Sequence, residues 1–310
     1  VSGPRPDILV DNAAWAGARP RLSMLIPFLG DDPVQLVSEL AAQAADVEII
    51  LLDDGGTDEV LAARVTRAVQ DSPAPARLLR SGRNLGRAKG RNRLTQQARA
   101  DYFLFLDADM LPDAPTFLDR WLESIEVDHP AVSFGGFSML RTPEHRDHAV
   151  HRAMALNSDC LSADLRRLAP EKYVFTSNLL VRRDVFEAVA FDEGFTGWGW
   201  EDVEWAMRVA RQWPIQHLDN TASHLGLDTA AALTRKYEQS AANFGRVVAE
   251  HPQVVAGYAS YRVARMIRRL PGRSLVRGLA RTLALSGGLP TGLQGFGLRL
   301  YRAALYAEVV

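Results

Sequence analysis

The sequence predicts an α/β fold: a mostly parallel central sheet flanked by helices, followed by a C-terminal helical extension. Three observations carry this. Short apolar runs alternate with segments of helical propensity through the first 110 residues, the strand–helix alternation of a mostly parallel sheet. The unusual polar clusters of that region (Pro27 and Phe28, Asp53 and Asp54, Arg83 and Asn84, Asp107 to Asp109) all fall where an apolar run ends. Ligands of such sheets bind outside the carboxyl ends of the strands. Finally, 310 residues with 47% hydrophobic and 24% charged side chains suffice for a sizeable core of ordinary composition.

Residues 1–20, with Pro4, Pro6, Gly17 and Pro20, read as an irregular lead-in. RLSMLIPF (21–28) is a buried strand, and 31–45 is helical with acids in its first turn, where the helix dipole favours them. VEIILLDDGG (47–56) is a second strand stopped by acids and glycines, and 57–69 a helix. ARLLRSGRN (76–84) gives a third strand, LGRAKGRNRLTQQARA (85–100) a basic helix, and DYFLFLDADM (101–110) a fourth strand ending in acids. Beyond it, 131–140 reads as a strand, 151–169 as helical, 172–189 as strand then helix, and 203–213 and 234–251 as helices. The segment 138–175, with His145, His148 and His151, matches no motif. The α/β region is divided into halves at 21–110 and 111–228, with the extension at 229–310.

Cys160 is the only cysteine, which excludes an intrachain disulfide and fits a reducing compartment. The uncharged run 282–298 is too broken by glycine and proline for a transmembrane helix. The net charge of −1 conceals an asymmetry: 258–302 holds nine arginines and no acid or lysine, so the rest carries −10. RVARMIRRLPGRSLVRGLARTLAL (262–285) reads as one interfacial amphipathic helix at an anionic membrane surface. The alternative is a helical cap on the α/β domain or on a second subunit, as in a homo-oligomer. Too few aromatics interleave the arginines for nucleic-acid binding.

FLFLDADM delivers two carboxylates one residue apart. Positions i and i+2 of a strand share a face, so Asp107 and Asp109 can converge on Mg²⁺ or Mn²⁺ bridging to phosphates. The alternative is a polar turn. A carboxylate in LLDDGGTDE can accept hydrogen bonds from a ribose or base, though Thr57 or Asp58 can equally cap the next helix. In RNLGRAKGRNRL, Arg83, Lys89 and Arg91 can face a diphosphate or form a solvated basic face. GWGWEDVEW sets Glu201 and Asp202 on a turn into a helix beside Trp198 and Trp200. A carboxylate walled by indole rings is desolvated and suited to proton transfer, and aromatic rings are platforms for sugars. His224 is a candidate third ligand beside Asp107 and Asp109.

These motifs, in this order over residues 21–228, resemble those of the family 2 glycosyltransferases, inverting enzymes with a GT-A fold. A first strand ends in IPF; LLDDGGTDE, NLGRAKGRN, DAD and GWGWED follow. The GWGWED form is similar to the segment of β-galactosyltransferases, chondroitin-type polymerases and polypeptide GalNAc-transferases. The resemblance implies that Pro27, Phe28, Asp54 and Asp53 hold the nucleoside, with Arg83, Asn84, Lys89 and Arg91 beside the nucleotide or donor sugar. It implies that Asp107 contacts the ribose or metal, that Asp109 is the main metal ligand, and that His224 completes the metal site. Asp202 matches the expected base, supported by Glu201. The implied donor is a nucleotide-sugar, most commonly a UDP-sugar. The implied acceptor is a saccharide or lipid-linked saccharide in bacterial polysaccharide or glycolipid synthesis, with a cytoplasmic location, peripheral at the inner face of the membrane. A non-catalytic nucleotide-sugar-binding or scaffold subunit is the rival, and it would lack the acids, which are intact here. A nucleotidyltransferase would carry a Gly-rich, Lys-containing loop after the first strand, where this chain has PFLGDDP.

Overall fold

A computed structural model describes residues 6–43 and 46–310. The outermost ends of two expected segments, 1–5 of the lead-in and 44–45 of the first helix, lie outside the described residues. In chain order the elements begin with β1 (Ile8–Asp11), β2 (Leu22–Phe28), α1 (Val34–Gln43), β3 (Val47–Asp53), α2 (Glu59–Gln70), β4 (Ala76–Arg80), α3 (Arg87–Thr95) and β5 (Tyr102–Leu106). Then come β6 (Met110–Pro112), α4 (Phe117–Val127), β7 (Val132–Phe134), β8 (Phe137–Ser138), α5 (Ala149–Ser158), α6 (Ala163–Arg166), β9 (Asn178–Arg182) and α7 (Arg183–Ala188). The last are α8 (Glu201–Val209), β10 (Ile215–His217), β11 (Ala222–His224), α9 (Ala230–Glu250), α10 (Pro252–Val255), α11 (Ala259–Arg268), α12 (Arg273–Leu285) and α13 (Thr291–Tyr306).

The main sheet runs β1-β4-β3-β2-β5-β9-β7-β10. The β4-β3-β2-β5 block is parallel, β9 runs antiparallel between β5 and β7, and β1 closes the other edge antiparallel to β4. The alternation of side chains along each strand divides the core between two faces. Met24, Ile26, Ile49, Leu51 and Leu104 pack on one side with α1, α2 and α4. Leu25, Ile50, Leu52, Phe103 and Phe105 pack on the other with α3, α7 and α8. Strand order reverses between β2 and β5, which opens a crevice at their carboxyl ends.

Four sequence expectations change. The lead-in is not wholly irregular: Ile8–Asp11 pairs in register with Arg77 to Arg80. The acidic run after β5 is a junction between sheets, because the strand ends at Leu106 and resumes at Met110 in a second sheet ordered β6-β11-β8. Residues 131–140 split in the same way at Gly135 and Gly136. The basic segment is two helices, because Pro271 cannot continue α11 and Gly272 turns at φ +77° before α12.

Candidate active site

The crevice is built from strand ends and the helix starts that follow them. Asp54, just past β3, accepts from the backbone N–H of Leu85 (2.8 Å) and Gly86 (3.0 Å), fixing where α3 begins. Burial pushes its carboxyl above the usual range, against those two bonds. Asp53 is occupied internally: Gly56 N–H (2.8 Å) and Arg80 Nε (3.2 Å) both donate to it. Phe28 is buried in the core and Pro27 half-buried at the rim. Asn84 caps locally, accepting from Gly86 N–H at 2.9 Å, and Arg83 is exposed.

Helix α3 sorts its cations by phase. Residues four apart share a face, and a residue two away points elsewhere. Arg87 and Arg91 therefore turn into the crevice, whereas Lys89 turns out to Glu193 (3.6 Å). Arg91, 1% exposed, donates from Nη2 to Asp107 Oδ1 (2.7 Å), and its Nη1 lies 3.7 Å from Glu201. Arg87 Nη1 is 4.0 Å from the same Glu201 oxygen. Asp107 of DAD and Glu201 of GWGWED are thus joined through one buried guanidinium.

Asp109 and His224 meet through strand register. In the second sheet β11 runs antiparallel to β6 with His224 opposite Met110, so the imidazole arrives beside Asp109, its Nε2 3.2 Å from Oδ2. Burial alone would raise Asp109, but the hydrogen bond and charge of His224 hold it below the usual range. Burial alone would lower His224, and Asp109 raises it. Gly226 lies so close that a Cβ there would fall 1.8 Å from Asp109 Oδ2. The adjoining cavity, about 200 Å³, is lined by Asp31, Asp32, Gln35, Ala108, Asp109 and Gly226. A carboxylate and an imidazole at this separation can share one divalent ion, the nitrogen ligand suiting Mn²⁺ better than Mg²⁺, and Asp107, two residues away, is turned to Arg91.

The GWGWED turn is bent by backbone that few residues adopt: φ is +74° at Gly197, +90° at Gly199 and +78° at Trp200, which precedes α8. A left-handed tryptophan costs on the order of 1–2 kcal/mol and persists only where its surroundings hold it. Asn243 Nδ2 donates to the carbonyls of Thr196 (3.0 Å) and Gly199 (2.9 Å), and Trp200 Nε1 donates to Tyr306 Oη (2.9 Å). The two indoles turn to different neighbours. Trp200 packs on Phe244 in the helical cluster, ring centres 4.9 Å apart and tilted by 40°, whereas Trp198 lies against Tyr237 and 5.8 Å from Lys236 Nζ. Glu201 is 4% exposed; burial, with the charge of Glu201 adding to it, pushes Asp202 up to about 7.

Three residues here were not singled out in the sequence. Arg87 was legible from helix phase, four before Arg91. His151 comes from the motif-free segment 138–175 on α5, and its ring centre is 6.1 Å from that of His224. Its Nδ1 accepts from Asp228 N–H (2.7 Å), and burial pushes it down to about 4. Lys236 on α9 pairs with Asp228 (2.6 Å). Neither of these two carried a local signal.

A family model described as glycosyl transferase family 2 matches residues 34–190, half of the chain. The chain belongs to this family. The matched span includes Asp54, Arg91, Asp107 and Asp109 and ends before GWGWED and His224. The mannosyltransferase PcManGT from Pyrobaculum calidifontis, solved in complex with GDP-Man and Mn²⁺, superposes with a TM-score of 0.61 at 15% identity, over 96% of this chain and 90% of its own. Glucosyl-3-phosphoglycerate synthase from Mycobacterium tuberculosis superposes with a TM-score of 0.50 at 16% identity, over 74% and 80%. At these identities the likeness is of fold, and it gives this family 2 member the GT-A architecture. No curated protein matches the chain significantly.

Proposed function

We propose that this family 2 member is an inverting, metal-dependent glycosyltransferase that moves a sugar from a nucleotide-sugar, a UDP-sugar first among the candidates, to a hydroxyl of a saccharide or lipid-linked saccharide. The observation that supports it most is the bridge of Arg91 between Asp107 and Glu201, which makes the donor-side acids and the GWGWED acids a single site. The Mn²⁺ in the P. calidifontis structure supports a divalent ion here. Asp107, Asp109 and His224 would hold it, and its chemistry is neutralisation of the leaving diphosphate. Asp202 removes the proton of the acceptor hydroxyl, and that oxygen bonds to the anomeric carbon as the bond to phosphate breaks on the opposite face. The proton ends on Asp202 and the configuration inverts. Trp198 offers the acceptor an apolar face. Bacterial polysaccharide or glycolipid synthesis at the inner face of the membrane is the setting proposed, and a lipid-linked acceptor gives the basic segment 258–302 a task there.

A panel of nucleotide-sugars scored by thermal shift with Mn²⁺ tests the reading. A true donor at a hundred times its Kd adds about 2.7 kcal/mol of stability. The same donor should release its nucleoside diphosphate when an acceptor is present, and excess EDTA should abolish this. No stabilisation by any donor overturns the transferase reading, and transfer undiminished in EDTA overturns the metal role alone.

A further inference from the structure

We infer that α11 and α12 form a bent, two-helix face that docks onto an anionic lipid surface. Of the 19 large apolar side chains exposed among the described residues, eight fall between Val263 and Phe296. On α11 and just past it, Val263, Met266 and Leu270 follow spacings of three and four and make one stripe, with Met266 62% exposed. On α12, Leu275 and Leu279 are 66% and 63% exposed. They lie away from Ala280 and Ala284, which are buried.

This face is not left over from poor packing. Helix α13 packs on α12, α11, α9 and α5, and its buried Gly297 allows contact so close that a Cβ there would fall 2.6 Å from Ala284 N. Within the tail, α13 is thus the helix that packs against both α9 and α5. The outward sides of α11 and α12 stay bare.

Charge names the occupant. Arg262, Arg265, Arg268, Arg269, Arg273, Arg277 and Arg281 stand on these two helices and their link, with no acid between them. Arg273 and Arg277 face Glu308, at 3.9 and 3.4 Å. The other five pair with no carboxylate among the described residues. An exposed apolar stripe beside unpaired arginines suits acyl chains and phosphate head groups together. Among the described residues no helix is long and apolar enough to cross a membrane, so the face lies on the bilayer rather than through it.

The inference is independent of the transferase reading and is tested without substrate. The full chain is floated with vesicles of phosphatidylcholine alone and of phosphatidylcholine with about one-third phosphatidylglycerol, an anionic fraction that a polybasic face senses. Comigration with the anionic vesicles only is expected. It should fall at least tenfold for Leu275→Glu/Leu279→Glu and for Arg265→Glu/Arg269→Glu, with thermal stability unchanged in both. Failure of the wild type to float with anionic vesicles overturns the proposal, as does flotation that neither double variant weakens. A wild-type dimer that Leu275→Glu/Leu279→Glu turns into a monomer by light scattering, without flotation, assigns the face to a second copy instead. Flotation by a chain that no nucleotide-sugar stabilises leaves this inference standing and removes the transferase reading.

Discussion

Arg91 carries a charge with almost no access to water, and its Nε and Nη1 have no hydrogen-bond partner. Such a group is retained at a cost of about 1–3 kcal/mol unless nearby charge offsets it; here Asp107 and Glu201 supply that charge. Asp202 shows the opposite arrangement, a carboxyl kept from ionising at its ordinary pH by burial and by Glu201. The sign follows for stability. Its folded pKa, about 7, lies above the value of 3.8 normal for an exposed chain, so its contribution to folding is present below that value and lost as pH rises through 7. Asp202→Asn should therefore melt higher than wild type at pH 8 and differ little at pH 4, while transfer falls at least about a hundredfold. Wild-type transfer should rise with pH through about 7. A variant that melts lower at pH 8 and keeps its activity removes Asp202 from the base role. Asp107, Asp109 and Asp202 were legible in the sequence because acidic letters at the end of an apolar run are conspicuous. That Lys89 turns to Glu193 and Trp200 to Phe244 was not legible, because the side a residue faces depends on helix phase and turn geometry, which letter type does not encode.

At the scale of elements, the crevice depends on loops that approach one another closely. The strands of the parallel block, β2 through β5, could be placed from sequence within a few residues, because each is a continuous apolar run closed by turn residues. The small second sheet could not: β6, β8 and β11 are two or three residues each, and only their pairing defines them. Yet that sheet brings His224 to Asp109, and Leu225 N–H closes it by donating to Asp109 O at 2.8 Å. Gly226 is where this arrangement is most exposed to change. A methyl group there would fall 1.8 Å from Asp109 Oδ2, 2.8 Å from its Cγ and 3.2 Å from its Cβ, so the carboxylate must turn and the root of the side chain must shift as well. Gly226→Ala should then cost about 1–3 kcal/mol in folding, the usual range for overpacking a tight site. Moving a ligand atom out of place should weaken Mn²⁺ about ten- to a hundredfold. Titration of Mn²⁺ in the presence of a nucleoside diphosphate, beside a melt of the metal-free protein, separates the two effects. Unchanged Mn²⁺ affinity would argue that Asp109 is not a ligand.

Over the whole molecule, the C-terminal helices are part of the catalytic body. Tyr306 on α13 holds Trp200, Asn243 on α9 holds the turn before it, and α5 carries His151 to His224. Only the helical character of this region was legible, because contacts between residues a hundred positions apart leave no local pattern. Stability of this body as a whole should depend on pH through its buried histidines. His217, on the edge strand β10, is 1% exposed. Its Nδ1 accepts from Arg166 Nε (3.2 Å) and its Nε2 hydrogen goes to the Pro170 carbonyl (3.0 Å), so the neutral ring ties 161–170 to the sheet. Burial pushes it down to about 4, as it does His151. Unfolded, each takes up a proton near 6.5; between that value and about 4 the unfolded chain binds more protons. Stability due to these histidines is therefore complete above 6.5 and lost as pH falls through about 4, by up to about 3 kcal/mol each. Carboxylates add to acid unfolding, so the informative quantity is a difference between two proteins. His217→Gln should melt lower than wild type at pH 7, through lost packing and hydrogen bonds, and the two curves should converge toward pH 4. Parallel curves across that range would show that His217 is not held neutral in the folded chain.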